Sequence, residues 1–193
     1  MSRDPYWNHN TRYHPWLLAK APSSARTALD VGCGDGLLAR KLAAHCREVV
    51  GIDADAAALA QASAADRVRF EQADFREFPG TFDYVTAVAT MHHVLLEEGL
   101  TALRRLVAPG GTLAVVGLWK MTPRRDAAYF PLLPLIWAID HYPPRPNGPD
   151  VPMRDPEEAL DEIRACAATT LPGTRIRRRL MFRYTLLWQR GHA

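Results

Sequence analysis

Two aspartates flank a glycine-rich loop near the start of the chain, and this arrangement bears on the charge of the ligand. Gly32, Gly34 and Gly36 occupy every second position after a short apolar run, with Asp30 before the first glycine and Asp35 before the last. Glycines allow a backbone to approach a ligand closely. A carboxylate about 4 Å from a phosphate repels it by roughly 4 kcal/mol at an effective dielectric constant of about 20. The loop is therefore predicted to bind a positively charged ligand rather than a pyrophosphate.

Acidic residues also follow the next two apolar runs. Asp53 lies about 20 residues after Gly32, where doubly wound folds place an acid that accepts hydrogen bonds from ribose hydroxyls. Asp74 is placed to accept a hydrogen bond from an adenine amino group. The alternatives are local, since Asp53 or Asp55 can cap the following helix and Asp74 can be a turn residue. A nucleoside with positive charge and no phosphate fits this set, and S-adenosylmethionine, with its sulfonium and ammonium groups, has these properties.

The elements that must position these residues alternate between strand and helix. Short apolar runs indicate buried strands, and apolar residues at helical spacing indicate the helices between them. Strands are predicted at residues 27–31, 48–52, 68–72, 82–89 and 112–118, and helices at 36–45, 56–65 and 95–107. This alternation implies a parallel sheet with helices on both faces. Ligands bind at the carboxyl ends of such strands, where the acids lie.

The chain changes character after residue 119. A proline-rich connection is expected at residues 141–155, and a helix is expected to begin at Asp155-Pro156. Residues 175–182 and 184–190 are predicted to be strands. They form either a tight antiparallel hairpin or one bent strand.

Composition places the chain among ordinary globular proteins. Its 193 residues suggest one domain, and its net charge of +3 is too weak to indicate a nucleic-acid or membrane partner. Three isolated cysteines favour free thiols in a reducing compartment. The longest apolar stretch, residues 127–139, is interrupted by prolines and is shorter than the ~20 residues that span a bilayer. A cytoplasmic protein without stable membrane insertion is expected, and the oligomeric state stays open.

Five segments together resemble the class I S-adenosylmethionine-dependent methyltransferases, of the type that acts on small molecules. They are ALDVGCGDG (28–36), VVGIDAD (49–55), VRFEQADF (68–75), FDYVTAVATMHHV (82–94) and LVAPGGTLAVVG (106–117). The resemblance implies a doubly wound, Rossmann-like α/β fold with a mostly parallel seven-stranded sheet, an antiparallel last strand and helices on both faces. It also implies one domain, residues 1–193, made of an N-terminal cap segment (1–26), a cofactor-binding half (27–118) and substrate-side helices and final strands (119–193).

The same resemblance implies a ligand and its contacts. S-adenosyl-L-methionine would be the cofactor and S-adenosyl-L-homocysteine the product. Asp30 would line the methionine end, Asp53 would hold the ribose and Asp74 would flank the adenine. The full set of expected cofactor contacts is Asp30, Gly32, Cys33, Gly34, Asp53, Ala54, Asp74, Phe75, Ala89 and Tyr13. The resemblance does not identify the methyl acceptor.

Histidines are the candidates for removing a proton from the acceptor. His92 and His93 follow the fourth strand, and a neutral histidine acts as a base near pH 7, although adjacent residues on a helix let only one point inward. The alternative is a polar pair at a helix start. His14 is a third candidate, because similar methyltransferases close a segment like residues 6–16 over the cofactor; Tyr13 and His14 would then border both ligands, unless the segment merely packs. No carboxylate lies at ligand spacing beside His92 and His93, so no metal is expected.

Two further segments bear on the acceptor. The apolar cluster at residues 130–142 is interpreted as the wall of a pocket for an apolar acceptor, as core beneath an insertion, or as a membrane-facing patch. The basic run at residues 175–179 is interpreted as a solvated strand face or as a contact for an anionic acceptor or RNA.

These observations predict methyl transfer to oxygen, nitrogen or carbon of a mostly apolar small-molecule metabolite. The alternatives are an RNA methyltransferase and a non-catalytic module that binds S-adenosylmethionine. Nucleic acid is the less favoured partner, because ATMHH (89–93) replaces the N/D-P-P-Y/F stretch that base-amine methyltransferases carry, and Pro143-Pro144 lies far downstream. Asp30 and the short glycine spacing disfavour a nicotinamide dehydrogenase.

Overall fold

A seven-stranded sheet forms the centre of the molecule. The computed structural model describes residues 4–141, 148 and 154–192. The strands are β1 (Thr27–Val31), β2 (Glu48–Asp53), β3 (Val68–Gln72), β4 (Phe82–Val88), β5 (Val107–Leu118), β6 (Arg175–Arg178) and β7 (Arg183–Gln189). Their order across the sheet is β3-β2-β1-β4-β5-β7-β6, and β7 runs antiparallel to β5 while β1 to β5 are parallel to one another. The predicted doubly wound fold with an antiparallel last strand is confirmed.

Helices connect the strands and cover both faces of the sheet. They are α1 (His14–Leu18), α2 (Leu37–Leu42), α3 (Ala56–Leu59), α4 (Leu96–Leu106), α5 (Leu133–His141) and α6 (Leu160–Thr170), with short 3-10 turns at Thr11–Tyr13, Met91–His93 and Ala127–Leu132. No helix in the described part of the chain is long and apolar enough to cross a membrane.

Apolar side chains bury both faces of the sheet. Leu29 and Val31 of β1 point to the face that packs on Leu103 of α4, whereas Ala28 points to the face that packs on Leu38 of α2. Because both faces are covered, the central strands read as nearly continuous apolar runs, whereas the edge strands β3 and β6 alternate apolar with charged residues. This explains why the sequence alone located them.

Several predicted boundaries are wrong; for example, α2 ends at Leu42 rather than at residue 45, and β6 ends at Arg178 rather than at residue 182. Helix α3 ends at Leu59 rather than at residue 65, although Asp55 caps it as expected by accepting the N–H of Ala57 at 2.8 Å. This alanine-rich segment has few large apolar side chains to pack on the sheet, and short helices without tertiary packing are marginal. Strand β5 begins at Val107, not at Thr112, because a shift in its register against β4 accommodates the intervening prolyl-glycyl-glycyl sequence.

The last helix and the hairpin also differ from expectation in detail. Helix α6 begins at Leu160, since the carboxylate of Glu162 accepts the N–H of Ala159 at 2.7 Å and closes the first turn there; the predicted start at Asp155 is wrong. Of the two alternatives for the final strands, the structure shows the antiparallel hairpin, in which β6 pairs with β7. Met181 and Phe182, in the turn, both adopt positive φ.

Candidate functional site

A cavity of about 600 Å³ opens at the carboxyl ends of the central strands, beneath the N-terminal segment. Its volume is within the ~300–1,000 Å³ range of small-molecule sites. The predicted site residues that line it are Asp30, Gly32, Cys33, Gly34, Asp53, Ala54, Asp74, Phe75, Ala89, His14, His92 and His93. The structure thus brings together acids from the ends of β1, β2 and β3 and histidines from beyond β4.

The three glycines of the loop differ in the space around them: Gly32 and Gly36 have no room for a side chain, whereas Gly34 has. All three glycines have positive φ. A Cβ on Gly32 would lie 2.3 Å from Oγ1 of Thr90, and one on Gly36 would lie 2.3 Å from the ring of Phe70. A Cβ on Gly34 would meet nothing within 4 Å. Gly34 therefore leaves open space on the cavity side of the loop, where a ligand can approach the backbone.

Asp53 is fixed by two backbone amides. Its Oδ2 accepts the N–H of Gly34 and its Oδ1 accepts the N–H of Asp55, both at 2.9 Å. A carboxylate has about four acceptor positions, so two remain for ligand hydroxyls. Asp53 is therefore positioned rigidly between the glycine loop and α3 with acceptor capacity to spare, as the predicted ribose contact requires.

Asp30 is a nearly fully buried carboxyl group that lines the cavity. Its exposed fraction is 2%, and the hydroxyl of Thr86 donates to its Oδ1 at 2.8 Å. Burial raises the pKa of Asp30 to about 7, although the bond from Thr86 opposes the rise. A cationic ligand beside this group would favour its ionised form.

Asp74 is engaged by a neighbouring cation. Arg76 donates to both of its carboxylate oxygens and its backbone N–H also donates to Oδ1, and these hydrogen bonds hold the pKa of Asp74 below its usual value. Both residues line the cavity beside the buried ring of Phe75. The bond from the backbone N–H of Arg76 is the one that the turn interpretation predicts, and the adenine contact of Asp74 stays a prediction.

The N-terminal segment is attached directly to the glycine loop. The hydroxyl of Tyr6 donates to Oδ1 of Asp35 at 3.0 Å, and the same oxygen accepts the N–H of Leu37 at the start of α2. Asp35 therefore serves both the helix start and the covering segment. Tyr6 was not singled out from the sequence, and only its place in a ring-rich stretch indicated it.

His14 lines the cavity but is a poor candidate for a base. Its Nδ1 lies 3.1 Å from Nζ of Lys41, and an ammonium group can only donate, so Nδ1 accepts and the ring proton is on Nε2. Burial, together with the charge of Lys41, lowers the pKa of His14 to about 3. The side chain is consequently neutral with its acceptor nitrogen already engaged, and the expected role in proton removal does not suit it.

His92 and His93 both line the cavity, so the expectation that only one points inward is wrong. They lie on a 3-10 turn rather than an α-helix, and their ring centroids are 4.1 Å apart. The Nδ1 atom of His92 is buried and has no hydrogen-bond partner among the described residues. Burial, and then the neighbouring His93, lower the pKa of His92 to about 4. His92 is therefore neutral at pH 7, and its Nδ1 has no hydrogen-bond partner among the described residues.

Two other expectations are corrected by the structure. Tyr13 is not among the described residues that line the cavity; its ring is buried and its hydroxyl donates to the carbonyl of Leu180 at 2.5 Å. The described part of the apolar cluster, residues 130–141, also lies away from the cavity. Phe130, Leu133, Leu135 and Trp137 are exposed, whereas Ile136 belongs to the core and Leu132 and Ile139 pack against it; Tyr142 lies outside the described residues.

Two arginines of the basic run contact the rest of the fold, whereas Arg175 and Arg177 are exposed. Arg178 pairs with buried Asp126 at 2.7 Å, and Nε of Arg179 donates to the hydroxyl of Thr185. No arginine of this run lines the cavity within the described residues. The prolines at 143 and 144, used above against base-amine methylation, lie outside the described residues.

Several polar residues of the cavity were given no role from the sequence, and three of them are far apart along the chain. Arg183 lines the cavity from the start of β7, Asn10 from the N-terminal segment and Arg154 from the region before α6. They match no motif, so only the fold brings them together. Among residues 4–141, 148 and 154–192, no group of three or more His, Cys, Asp or Glu side chains is arranged to hold a metal ion.

Comparisons with known proteins agree with this geometry. A family model described as a methyltransferase domain matches residues 28–111. An uncharacterized methyltransferase of Mycobacterium tuberculosis (strain H37Rv) is 36% identical over 96% of this chain and 98% of its own length. The ubiquinone biosynthesis O-methyltransferase of Thiobacillus denitrificans is 32% identical over 64% of this chain and 69% of its own. Magnesium protoporphyrin IX methyltransferase from Synechocystis, solved with bound S-adenosylhomocysteine, has a TM-score of 0.64 at 18% identity, covering 94% of this chain and 81% of that one.

The chain therefore belongs to the class I S-adenosylmethionine-dependent methyltransferases. Its residues fit the methyl donor of that family. Gly34 leaves space for close backbone approach, Asp53 keeps free acceptor positions for ribose hydroxyls, and Asp30 places a titratable carboxyl group where positive charge is expected. The protein is an enzyme of the transferase class.

Proposed function

We propose that this enzyme transfers a methyl group from S-adenosylmethionine to oxygen, nitrogen or carbon of a small organic molecule with a mostly apolar body. The observation that carries the proposal is the continuity of the cavity, which runs from the strand-end acids past Ala89 to His92 and Leu118. Val94 and Leu118 supply apolar walls beyond the cofactor residues. The N-terminal segment covers this space, which favours a small acceptor over a macromolecule.

The contribution of the protein to this reaction is mainly alignment. Bound S-adenosylmethionine supplies an electrophilic methyl carbon on a sulfonium group. Asp53 and the glycine loop hold the nucleoside, and Asp30 faces the positive end. Fixing the two reactants in line removes much of the entropic barrier, which accounts for several kcal/mol in well-oriented reactions, roughly 7–11 at the upper end.

His92 is the residue best placed to take a proton from the acceptor, where one must be removed. Its Nδ1 is buried and unpartnered within the described structure, and its ring is neutral at pH 7 because its pKa is lowered to about 4. A base of such low pKa is weak, so it suits an acceptor that is already acidic or anionic. The relative from Thiobacillus denitrificans is named an O-methyltransferase, which supports oxygen among the three atoms.

Binding of S-adenosylmethionine is expected to weaken as the pH falls. Asp30 titrates at about 7 in the free protein, and a cationic ligand requires its ionised form. The affinity should be constant above pH 7 and should fall up to ~10-fold per pH unit below it. Calorimetry at pH 7.5, 6.5 and 5.5 measures this, and Asp30→Asn should bind weakly at all three values. A pH-independent wild-type affinity would contradict the role of Asp30.

The stability of the unliganded fold should change in the opposite direction. A carboxyl group whose pKa is higher in the folded than in the unfolded state stabilises most at low pH. Its contribution is therefore present below pH 4 and is lost as the pH rises through about 7. Opposite pH trends for binding and unfolding would identify Asp30, because a general loss of structure would weaken both together.

The proposed function is tested by calorimetry and by methyl transfer. S-adenosylhomocysteine and S-adenosylmethionine should bind in the micromolar range, and labelled methyl should appear in a small-molecule fraction of a cell extract. Absence of binding would overturn the methyltransferase proposal. Binding with no labelled product would favour a non-catalytic module. Label in RNA, with affinity for RNA that falls steeply with salt, would favour the RNA alternative.

A further inference from the structure

Arg183 is a buried cation on the acceptor side of the cavity. It is the first residue of β7 and is paired in register with Leu118 at the end of β5. Its exposed fraction is 9%, and both residues line the cavity. Two strands, β4 and β5, separate β7 from β1, which corresponds to roughly 14 Å at the usual strand spacing. Arg183 thus lies far from the residues assigned to the nucleoside.

The guanidinium of Arg183 has no carboxylate partner among the described residues. Its Nε and Nη2 donate to Oδ1 of Asn10 at 3.0 and 2.9 Å, and Nη1 donates to the carbonyl of Met181 at 3.1 Å. These acceptors are neutral. The other arginines of the cavity differ, since Arg76 pairs with Asp74 and Arg154 with Glu157. Burying an unpaired charge is costly, and buried charges are ordinarily paired.

The arrangement leaves donors available to a ligand. A guanidinium has five N–H groups, and the contacts above use three of them. Burial lowers the pKa of Arg183 only to about 10, so it stays charged at pH 7. His92, whose Nδ1 is buried without a partner in the described structure, lines the same cavity. The charge of Arg183 is one of the causes that lower the pKa of His92.

We propose that Arg183, held in place by Asn10, binds a carboxylate on the methyl acceptor. The proposal rests on the proposed function and names the class of acceptor. The acceptor is a mostly apolar molecule whose one carboxylate pairs with Arg183 and whose nucleophilic atom lies near His92. A planar guanidinium recognises a carboxylate through two parallel hydrogen bonds, which gives direction as well as affinity. The two unused N–H groups, one on Nη1 and one on Nη2, are the donors that such a carboxylate would use.

The test compares charged and neutral probes of the same shape. With the enzyme saturated with S-adenosylhomocysteine, binding of benzoate and benzamide, and of hexanoate and hexanamide, is measured by saturation-transfer NMR titration. Each carboxylate should bind at least about 10-fold more tightly than its amide, as expected for a hydrogen-bonded charge pair. Equal binding of acids and amides, or no binding of either, would overturn the proposal.

Variants test whether Arg183 causes the preference for carboxylates over amides. Arg183→Met should abolish the preference for acids, Arg183→Lys should retain part of it, and Arg177→Met, which removes an exposed arginine of β6, should leave it unchanged. Because Arg183→Met removes buried hydrogen bonds to Asn10 and Met181, the affinity of each variant for S-adenosylhomocysteine is measured first as a test of folding. A tenfold loss of that affinity in both Arg183 variants would assign Arg183 to the cofactor carboxylate and overturn the proposal.

The outcome also distinguishes this proposal from the one it depends on. Wild-type enzyme that binds S-adenosylhomocysteine but does not prefer the acids loses only the acceptor assignment. Wild-type enzyme that does not bind S-adenosylhomocysteine loses the proposed function itself.

Discussion

Replacement of Asp53 by alanine is expected to weaken binding of both S-adenosylmethionine and S-adenosylhomocysteine by at least about 10-fold. The carboxylate is held by the amides of Gly34 and Asp55 and keeps two acceptor positions for hydroxyls. Hydrogen bonds to charged groups contribute about 1.5–3 kcal/mol each, so losing one or two has a large effect on affinity. Titration calorimetry with both ligands measures it.

Two further variants show which property of Asp53 matters. Asp53→Asn keeps an oxygen that can accept the N–H of Gly34 but removes the charge, so its affinity should lie between those of the wild type and Asp53→Ala. Asp66→Ala removes an exposed aspartate that does not line the cavity and should change nothing. An Asp53→Ala protein that folds normally and binds both ligands with unchanged affinity would exclude the ribose role.

The second large effect is expected at Gly32. Alanine there would place a Cβ 2.3 Å from Oγ1 of Thr90 in a backbone with a φ of +67°. The left-handed conformation costs about 1–2 kcal/mol and overpacking a further 1–3 kcal/mol, so Gly32→Ala should lower the free energy of unfolding by roughly 2–5 kcal/mol. Urea denaturation measures this loss.

Gly34 supplies the matched control for Gly32. It also has positive φ, but a Cβ on it meets nothing within 4 Å, so Gly34→Ala should cost only the roughly 1–2 kcal/mol of backbone strain. Its methyl group would instead occupy space in the cavity and reduce cofactor affinity. Adding Thr90→Ala to Gly32→Ala should restore part of the stability. Equal stability losses for the two glycine variants, with no recovery in the double variant, would show that the contact with Thr90 is unimportant.

The sequence was sufficient to locate the strands and the acids that follow them. Strands β1 and β3 have the predicted bounds: β1 is a buried apolar run, and β3, at the edge of the sheet, alternates apolar and polar residues. Asp30, Asp53 and Asp74 could be placed at one cavity because the carboxyl ends of parallel strands converge at one edge of the sheet. This part of the site follows from the residue pattern of each strand and from the rule that ligands bind at the carboxyl ends of parallel strands. Both can be applied to a single sequence.

The acceptor side could not be predicted in the same way. Tyr13 was expected at the cavity because of its place in the N-terminal segment, but the carbonyl that its hydroxyl contacts belongs to Leu180. The start of α6 depends on the Glu162 side chain rather than on the proline and acids that precede it. The exposed apolar side chains of α5 resemble a pocket wall in composition, and only the fold shows that they face away from the cavity. Such contacts depend on tertiary geometry and carry no local sequence signal.

The contact between Asn10 and Arg183 has a consequence for the order of events during synthesis. These residues are 173 positions apart, and β7 must insert between β5 and β6 before Arg183 reaches the cavity. A nascent chain that has only emerged as far as β5 already contains the strands whose ends carry the three acids, yet it lacks one wall of the site. Long-range pairing of this kind forms slowly, because the intervening chain must be ordered first. The cavity wall that contains Arg183 therefore forms only once β7 has paired with β5.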